Sequence, residues 1–396
     1  MSETESVTRA GRTRASRPRI VVAGLGDTGL LTAIHLSKHA DLVGISSKPG
    51  LVSGQELGMR LSRPHEWARD FWVPFDHYHR LDAARTVHGS LTGLDLENRR
   101  VQLTGPDGEA ASESYDALVI ATGVSNGFWR RPDLLTAEQV AAGLTDAHER
   151  LAAADSVIVL GGGAAAVSSA LNVATSWPGK RVDLYFPGEQ ALPQHHRKVW
   201  RTLSGRLERL GVGLHPGHRA IVPDGFGCDE ITAGPVEWST GQPPSDAAAV
   251  LWTIGRVTPN TAWLPPELLD HNGFVVVDEY LRVPGAPGVY AIGDVAATDP
   301  LRTSARSRAD GLLAHNIRAD LTGGTPKAFT PATRRWGSVV GTQRNTLEIF
   351  TPAGQAFRIP AWSRLQPFVV RRGIYGGMRR AAPNPPGSVD DSGQQR

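Results

Sequence analysis

The sequence predicts an α/β protein with two similar sheet-containing domains and a small third region near its C-terminus. A short β-branched strand, a glycine-rich turn and a helical pattern follow one another twice, in residues 19–36 and 156–174. The two turns begin at Gly24 and Gly161, 137 residues apart, which is about the length of one domain. The chain has 396 residues, 40% of them hydrophobic and 20% charged, so it can bury large cores.

The first module is the run Arg19–Ala23 followed by Gly24-Leu25-Gly26-Asp27-Thr28-Gly29 and a helical pattern. In such a turn the first glycine permits the bend, the second lets a pyrophosphate approach the backbone, and the third lets helix and strand pack closely. Free amides at the helix start favour a phosphate group. The module therefore predicts a Rossmann-like dinucleotide site.

The second module repeats this shape. Ser156–Leu160 leads into Gly161-Gly162-Gly163-Ala164-Ala165-Ala166, then a helix to Ala174 and a strand over 181–186. Ala166 takes the third glycine position, where one methyl group still fits the helix–strand contact. The sequence thus predicts two Rossmann-like domains and two dinucleotides.

Further strands are predicted between and after the modules. Residues 115–123 form an apolar strand that ends in a small-residue turn, and 250–255 repeat that shape. Residues 273–278 and 288–294 are predicted to pair, which puts Asp294 at the carboxyl end of a strand, before a helix over 304–321.

The net charge of +3 is unevenly distributed. Residues 352–380 contain six arginines and no acid, and residues 1–19 contain five arginines, so the middle of the chain is acidic. This excludes a globally basic nucleic-acid binder. No run of eighteen apolar residues and no secretory signal occurs, which predicts a cytoplasmic protein, soluble or peripheral on the inner face of the membrane.

Five motifs occur in a fixed order over residues 19–325: GLGDTG, YDALVIATG, GGGAAA, WTIGRVTPN and VYAIGDVA. This ordered set resembles the FAD-dependent pyridine nucleotide oxidoreductases related to glutathione reductase. Within them it is similar to the branch of type II NADH dehydrogenases and apoptosis-inducing-factor-like proteins. The resemblance implies the cofactors FAD and NAD(P)H and an FAD domain interrupted by an inserted NAD(P) domain.

The domain boundaries expected from this resemblance follow the motifs. The FAD-binding domain comprises 19–125 and 259–325, and the NAD(P)-binding domain comprises 126–258. Residues 326–380 form a C-terminal subdomain, and 1–18 and 381–396 are disordered tails.

The resemblance also implies the residues that hold each cofactor. FAD is expected against eight residues, with Asp294 on the ribitol: Gly24, Gly26, Thr28, Gly29, Ala121, Thr122, Gly123 and Asp294. NAD(P)H is expected against Gly161, Gly163, Ala164, Ala165, Ala166 and Gly255. Ser47 and Lys48 are further candidates, beside the FAD adenosine.

Several positions depart from the family pattern. Ser46-Ser47-Lys48 and Tyr185-Phe186-Pro187 stand where each module usually has an acid that grips a ribose. The choice between NADH and NADPH is therefore open, and residues 195–198 either meet a 2′-phosphate or form a solvated helix start. Ser168 stands where type II NADH dehydrogenases carry a glutamate beside the nicotinamide.

Cys228 is the single cysteine, so the chain cannot build a redox disulfide or a cysteine-rich metal site. Electrons would then pass directly from flavin to an external acceptor, without a thiol relay. No metal site is predicted, and no catalytic side chain is assigned.

Two apolar stretches bear on the acceptor. Trp67, Phe71 and Phe75 have the spacing of a buried helix face, or they stack against an aromatic acceptor. Residues 359–380 mix aromatic and apolar residues with arginine, which is typical of a membrane-interface segment. The alternative is a subdomain packed on the flavin domain or on a second copy in a homodimer. Pro367 is expected to break this stretch in two.

Three functions are compatible with these features. The first is an FAD-dependent NAD(P)H oxidoreductase that reduces a small quinone-like acceptor. The second is a reductase of a ferredoxin-like protein, which would dock on the arginines of the tail. The third is a non-enzymatic flavoprotein that senses nucleotides.

Overall fold

The computed structural model describes residues 17–379 apart from 55, 127–129, 255–256, 303 and 305–307. Two five-stranded sheets, one for each glycine-turn module, dominate the described chain. Smaller antiparallel sheets and a C-terminal helical segment are attached to them. The structure is therefore α/β, as the sequence predicts.

The first part of the chain runs from the first strand to a short strand before the second module. Its elements are β1 (Arg19–Ala23), α1 (Asp27–Leu36), β2 (Asp41–Ser46), β3 (Gly50–Val52), α2 (Leu57–Ser62), α3 (Pro64–Phe71), β4 (Trp72–Pro74), β5 (Arg85–His88), β6 (Ser90–Asp95), β7 (Arg100–Thr104), β8 (Ala110–Ser114), β9 (Ala117–Ile120) and β10 (Val124–Ser125), with 3-10 turns at Phe75–His77 and His79–Leu81.

The second part contains the second module. Its elements are α4 (Ala137–Ala153), β11 (Ser156–Leu160), α5 (Ala164–Ser176), β12 (Arg181–Tyr185), α6 (Arg197–Arg209), β13 (Gly213–His215), β14 (Thr232–Val236), β15 (Ser245–Trp252) and β16 (Thr258–Pro259).

The third part returns to the first sheet and then forms the C-terminal region. Its elements are a 3-10 turn at Pro266–Leu268, β17 (Val289–Ala291), α7 (Ala309–Thr322), β18 (Thr342–Gln343), β19 (Thr346–Phe350), β20 (Ala356–Ile359), α8 (Trp362–Gln366) and a π-helix over Pro367–Ile374.

The two large sheets place their glycine turns in the same way. The first sheet has the strand order β17-β9-β1-β2-β5, and the second has the order β13-β12-β11-β15-β14. Every pair is parallel except β14 with β15. In both sheets the glycine turn follows the central strand, at the carboxyl edge where ligands of α/β proteins bind.

Each large sheet is covered on both faces, which explains why its central strand is apolar along its whole length. Val21 and Val22 of β1 are fully buried on opposite faces. In the second sheet, α5 and α6 cover one face, and the other packs on Trp238 and Cys228. Val339, Val340 and Phe350 of the C-terminal region join the core beneath α5.

The structure corrects four local predictions. Residues 273–278 do not form a paired strand, because only Val275 makes isolated bridges, to Leu269 and Ala296. The helix predicted over 304–321 is not continuous, because Arg308 has φ +55° and α7 begins only at Ala309; residues 305–307 of that prediction lie outside the described residues. Phe75 is not on the helix of Trp67 and Phe71, because α3 ends at Phe71.

The fourth correction concerns Pro367, which does not break the helical segment of the tail. The backbone passes directly from α8 into the π-helix, and Pro367 takes its first position. Proline fits there because its fixed φ of about −65° matches the observed value of −60°.

Candidate functional site

The first glycine turn is shaped by close backbone contacts. Gly24 has φ +99°, and a Cβ atom there would lie 2.5 Å from the carbonyl oxygen of Ala121. A Cβ on Gly29 would collide with the carbonyl oxygen of Gly24. Gly26, in contrast, has open space on its Cβ side and begins α1 without a side-chain cap. The turn therefore presents an open helix start that fits a pyrophosphate.

The turn formed by Ala121, Thr122 and Gly123 lies beside the first glycine turn. Asn260 holds it from the next crossover: Asn260 Nδ2 donates to the Thr122 carbonyl (3.0 Å), and Thr122 Oγ1 donates to the Asn260 carbonyl (2.8 Å). Asn260 also accepts from Ser125 Oγ at 2.7 Å. Asn260 is a positioning residue that the sequence analysis missed, although it ends the WTIGRVTPN motif.

Asp294 lies just after β17, at the predicted edge of the sheet. Its Oδ2 accepts a hydrogen bond from Nη1 of Arg130 at 2.5 Å, and Nη2 of Arg130 lies 3.4 Å from the Gly54 carbonyl. Burial lowers the pKa of Arg130, but the charges of Asp294 and Asp27 outweigh it and raise that pKa. No sequence motif marks Arg130, so its role was missed.

Asp27, inside the glycine turn, holds the loop that faces it. Ser53 Oγ donates to Asp27 Oδ1 at 2.6 Å, and the Gly54 amide donates to Oδ2 at 2.9 Å. The same loop carries the Gly54 carbonyl that contacts Arg130. Asp27 thereby connects the glycine turn to the ion pair of Arg130 with Asp294.

Lys48 and Ser47 follow β2, next to the same turn. Lys48 Nζ donates to the carbonyls of Arg131 (2.6 Å) and Asp133 (2.7 Å) and to Ser47 Oγ (3.1 Å). Burial lowers the pKa of Lys48 to about 8, with a further contribution from the charge of Arg60 and partial opposition from Asp133. Burial and the charge of Arg130 lower the pKa of Arg60 to about 10. These cations favour an anionic ligand in the cavity that they line.

The second glycine turn has the same backbone form. Gly161 has φ +131°, and a Cβ there would lie 2.7 Å from the Thr253 carbonyl oxygen. Gly163 begins α5 without a side-chain cap and has open space beside it. Ala166 is fully buried against the sheet, so its side chain supports helix packing. Gly255 lies outside the described residues.

A cavity of about 1790 Å³ joins these features. Binding pockets for one small molecule are usually about 300–1,000 Å³, so this space has room for more than one ligand. Nine of the predicted site residues line it, from the first module and the residues near it: Gly24, Gly26, Thr28, Ser47, Lys48, Ala121, Thr122, Gly123 and Asp294. Ala164 and Ala165 line it from the second module, whereas Gly29, Gly161, Gly163 and Ala166 do not.

Ser168 also lines the cavity and anchors α2 on α5. Its Oγ accepts a hydrogen bond from the Gly58 amide at 3.3 Å, and a Cβ on Gly58 would collide with the Ser168 carbonyl. Ser168 therefore holds two walls of the cavity together. The residues 195–198 do not line it; His196 caps α6 and accepts from the Lys198 amide at 3.2 Å.

Aromatic and aliphatic side chains of the C-terminal region also line the cavity. They are Trp336, Leu347, Trp362, Val370, Ile374 and Tyr375. Phe71 of α3 lines the cavity as well and stacks on Trp67 with ring centroids 6.1 Å apart. The cavity is thus lined both by residues of the two glycine turns and by these apolar side chains of the C-terminal region, which we call the apolar chamber.

The described residues contain neither a cluster of metal ligands nor a membrane-spanning helix. Its His, Cys, Asp and Glu residues form no group of three or more arranged to hold a metal ion. Within the same ranges, none of the helices combines the length and apolar character that crossing a bilayer requires. Cys228 is buried in the aromatic core of the second sheet.

Comparison with known proteins gives a family match over most of the chain. Residues 18–311 match the family described as pyridine nucleotide-disulphide oxidoreductase. The oxidoreductase ptaL of Pestalotiopsis fici is 28% identical over 312 residues, which cover 76% of this chain and 78% of that protein. Ferroptosis suppressor protein 1 of Xenopus tropicalis is 24% identical over 326 residues, covering 79% and 83%.

A solved structure gives the same fold. The water-forming NADH oxidase of Lactobacillus brevis, bound to NADH, superimposes with a TM-score of 0.60 at 16% sequence identity. The match covers 84% of this chain and 74% of the oxidase.

Proposed function

This chain belongs to the pyridine nucleotide-disulphide oxidoreductase family, and from that premise we propose that it passes electrons from NAD(P)H to a hydrophobic, quinone-like acceptor. Its cofactors are FAD and NAD(P)H, and it is an enzyme, which sets aside the nucleotide-sensing alternative. When bound, FAD takes hydride from NAD(P)H and releases the electrons to a second substrate.

The residues of the first module are proposed to hold FAD. The open helix start at Gly26 would take the pyrophosphate, and Lys48 would add positive charge beside it. Asp294 would accept from ribitol hydroxyls, while its hydrogen bond from Arg130 holds the carboxylate in place. Gly161 and Gly163 would bend the second turn toward NAD(P)H, with Ala164 and Ala165 on the cavity side.

One observation carries the choice of acceptor. The cavity that residues of both glycine turns line is also lined by apolar side chains of the C-terminal region, among them Trp336, Trp362 and Val370. A flat aromatic acceptor gains stacking and desolvation in such a chamber. The single cysteine, buried in the second domain's core, supports direct transfer without a thiol relay.

The same C-terminal segment supports contact with a membrane surface. Phe368 is 66% exposed and Ile374 is 47% exposed, and Arg364 and Arg372 lie on the same helical segment. Exposed apolar residues interleaved with arginine bind the interface of anionic bilayers. A hydrophobic acceptor dissolved in the bilayer would then enter next to Val370 and Ile374.

The first experiment is an anaerobic titration of the FAD-loaded protein with NADH and with NADPH. Loss of the oxidised flavin absorbance is expected, and oxidised flavin that persists would contradict the proposal. Reoxidation is then compared among a quinone with an isoprenoid tail, ferricyanide and a ferredoxin. The ferredoxin-like alternative, favoured by the exposed arginines, predicts fastest reoxidation by ferredoxin.

A variant pair tests the chamber itself. Val370→Trp fills the apolar chamber and is expected to slow quinone reduction about tenfold while leaving flavin reduction by NAD(P)H unchanged. Phe357→Trp is the matched control, because Phe357 of β20 is exposed and does not line the cavity. Equal quinone rates in both variants would place the acceptor elsewhere.

A further inference from the structure

A second, smaller cavity of about 240 Å³ lies between α1 and α7, next to the site described above, with which it shares the lining residues His35 and Gly311. Six basic or titratable side chains line it: His35, Lys38, His39, Arg80, His315 and Arg318. They come from three separate elements, namely α1 and the turn after it, the 3-10 turn at His79–Leu81, and α7. At about 30 Å³ for each water, the space holds roughly eight waters or a small anion with part of its hydration shell.

The positive charge of this basic cavity is only partly neutralised. His35 Nε2 lies 3.0 Å from Asp310 Oδ2, and His315 Nε2 lies 3.1 Å from the Thr325 carbonyl oxygen. In the described part of the chain, the side chains of Lys38, Arg80 and Arg318 have no carboxylate partner. Burial and the charges of Arg318, Arg17 and Lys38 together lower the pKa of His39, which reflects a positive local potential.

The dipole of α1 explains only some of these residues. Lys38 and His39 follow the C-terminus of α1, where cations are favourable. Arg80 and Arg318 belong to other elements. Their convergence with Lys38 brings like charges together, an arrangement that an anion would stabilise.

We propose that the basic cavity binds a phosphate group. A phosphate presents oxygens in several directions and accepts strong charge-assisted hydrogen bonds from arginine and lysine. Donors that converge from three elements match this shape better than they match a planar carboxylate. No residue of either glycine turn lines the basic cavity, although His35 and Gly311 line both cavities, so this phosphate is distinct from those of the cofactors.

The position of Arg80 suggests one source of the phosphate. The Arg80 guanidinium lies against Gly376, where an added Cβ would collide with it. Gly376 comes two residues after the π-helix, which exposes Phe368 and Ile374. The bound phosphate group is therefore expected to come either from a lipid headgroup at a membrane surface or from free phosphate in solution.

Isothermal titration of the FAD-loaded protein with inorganic phosphate tests the site. The double variant Lys38→Gln/Arg318→Gln is expected to raise the Kd about tenfold, because two cations of the cavity are lost. The charge-matched control is Arg201→Gln/Arg209→Gln, which removes two exposed arginines of α6 and should leave the Kd unchanged. Retained flavin absorbance in both variants verifies that the proteins are folded.

Flotation on phosphatidylcholine vesicles with and without phosphatidic acid separates the two sources. If flotation on the phosphatidic acid vesicles falls in the double variant but not in the control, the source is a lipid headgroup. If only the affinity for inorganic phosphate falls, the source is a free phosphate. If both variants match the wild type in both measurements, or if the wild type binds neither probe, the proposal is wrong. Neither measurement involves electron transfer, so the result is independent of the proposed acceptor.

Discussion

The two glycine turns have the same backbone conformation but different surroundings. The Gly24 amide donates to the Ile45 carbonyl and the Gly161 amide donates to the Tyr185 carbonyl, each at 2.9 Å, so both turns start from the same register with the neighbouring strand. Around the first turn lie Asp27, Lys48, Arg130 and Asp294. The second turn continues into three alanines, and the adjacent strand ends in Tyr185-Phe186-Pro187.

This contrast indicates different tasks for the two turns. Charged and hydrogen-bonded groups hold a ligand in one orientation and slow its release. A turn that offers mostly backbone amides and small side chains binds more weakly and exchanges faster. The first turn therefore suits a resident cofactor, and the second suits a nucleotide that enters and leaves in each cycle.

The largest effect is expected from the third position of each turn. Gly29→Ala would push a methyl group into the Gly24 carbonyl, which is backbone and cannot move aside. We expect destabilisation of about 3 kcal/mol or more and loss of bound FAD. Ala166→Gly in the second turn removes one buried methyl group and should cost only about 1 kcal/mol. Thermal unfolding measures the stability of each variant, and flavin absorbance measures its bound FAD. Equal losses in the two variants would contradict the proposed difference in packing between the two turns.

The next effect concerns the ion pair of the first turn. Arg130→Met leaves Asp294 without its cationic partner, and such losses typically weaken a partly buried charged site by about 1.5–3 kcal/mol. We expect FAD affinity to fall about tenfold or more, while the KM for NAD(P)H of the FAD-loaded fraction stays unchanged. Arg209→Met, an exposed arginine of α6, is the control. A shift in the KM for NAD(P)H with unchanged FAD affinity would contradict the assignment.

The roles of the turn glycines could be predicted from the sequence alone, whereas the role of Arg130 could not. The glycine roles follow from motif spacing, because a turn between a parallel strand and a helix permits few backbone paths. Arg130 could not be found in this way, since its contact with Asp294 joins residues 164 positions apart. Asn260 could have been identified from the sequence, because it is the last residue of the WTIGRVTPN motif. Its hydrogen bonds to Thr122, however, depend on the crossover geometry.

The C-terminal segment shows the same limit. Its composition is typical of a membrane-interface segment, but the path of its backbone through Pro367, from α8 into the π-helix, depends on the change of helix type. The small size of Ala166 suggests helix packing, and its side chain is buried in the core, whereas its expected contact with NAD(P)H stays a prediction. Sequence patterns thus locate backbone features better than side-chain partners.

A pH titration distinguishes the turns further. Without FAD, the pKa of Lys48 is about 8, and a neighbouring pyrophosphate would raise it by stabilising the charged form. FAD binding then takes up a proton, so FAD affinity should fall as the pH rises from 7 to 9, by about fivefold if the pKa rises by about one unit. Lys48→Met should bind FAD more weakly and without this pH dependence. Equilibrium dialysis at several pH values is the measurement.

The matched comparison is the affinity for NAD(P)H over the same pH range. The second turn, residues 161–166, contains no titratable side chain, so its affinity should change little between pH 7 and 9. Stopped-flow measurement of the nucleotide Kd supplies this value. A parallel pH dependence at both turns would show that Lys48 does not account for the first.

The smallest effect is expected at residues 185–187, where the second module lacks the ribose-binding acid that the family pattern usually has. Pro187 is exposed, and its ring lies near Gly162, so a carboxylate placed there would face the adenosine ribose of a nucleotide bound at the turn. Pro187→Glu should repel the 2′-phosphate of NADPH and accept a hydrogen bond from the 2′-hydroxyl of NADH. We expect the ratio of kcat/KM for NADH over NADPH to rise about fivefold, since an exposed charge pair is worth about 0.2–1 kcal/mol.

Pro187→Gln is the control for this last change, because it removes the proline without adding charge. If both variants alter the ratio equally, the loss of the proline and not the charge is responsible. If neither alters it, the adenosine lies elsewhere, and the second turn does not bind its nucleotide in the way that the first is proposed to bind FAD. An effect confined to Pro187→Glu would show that the two turns share a binding geometry and differ in the charges around it.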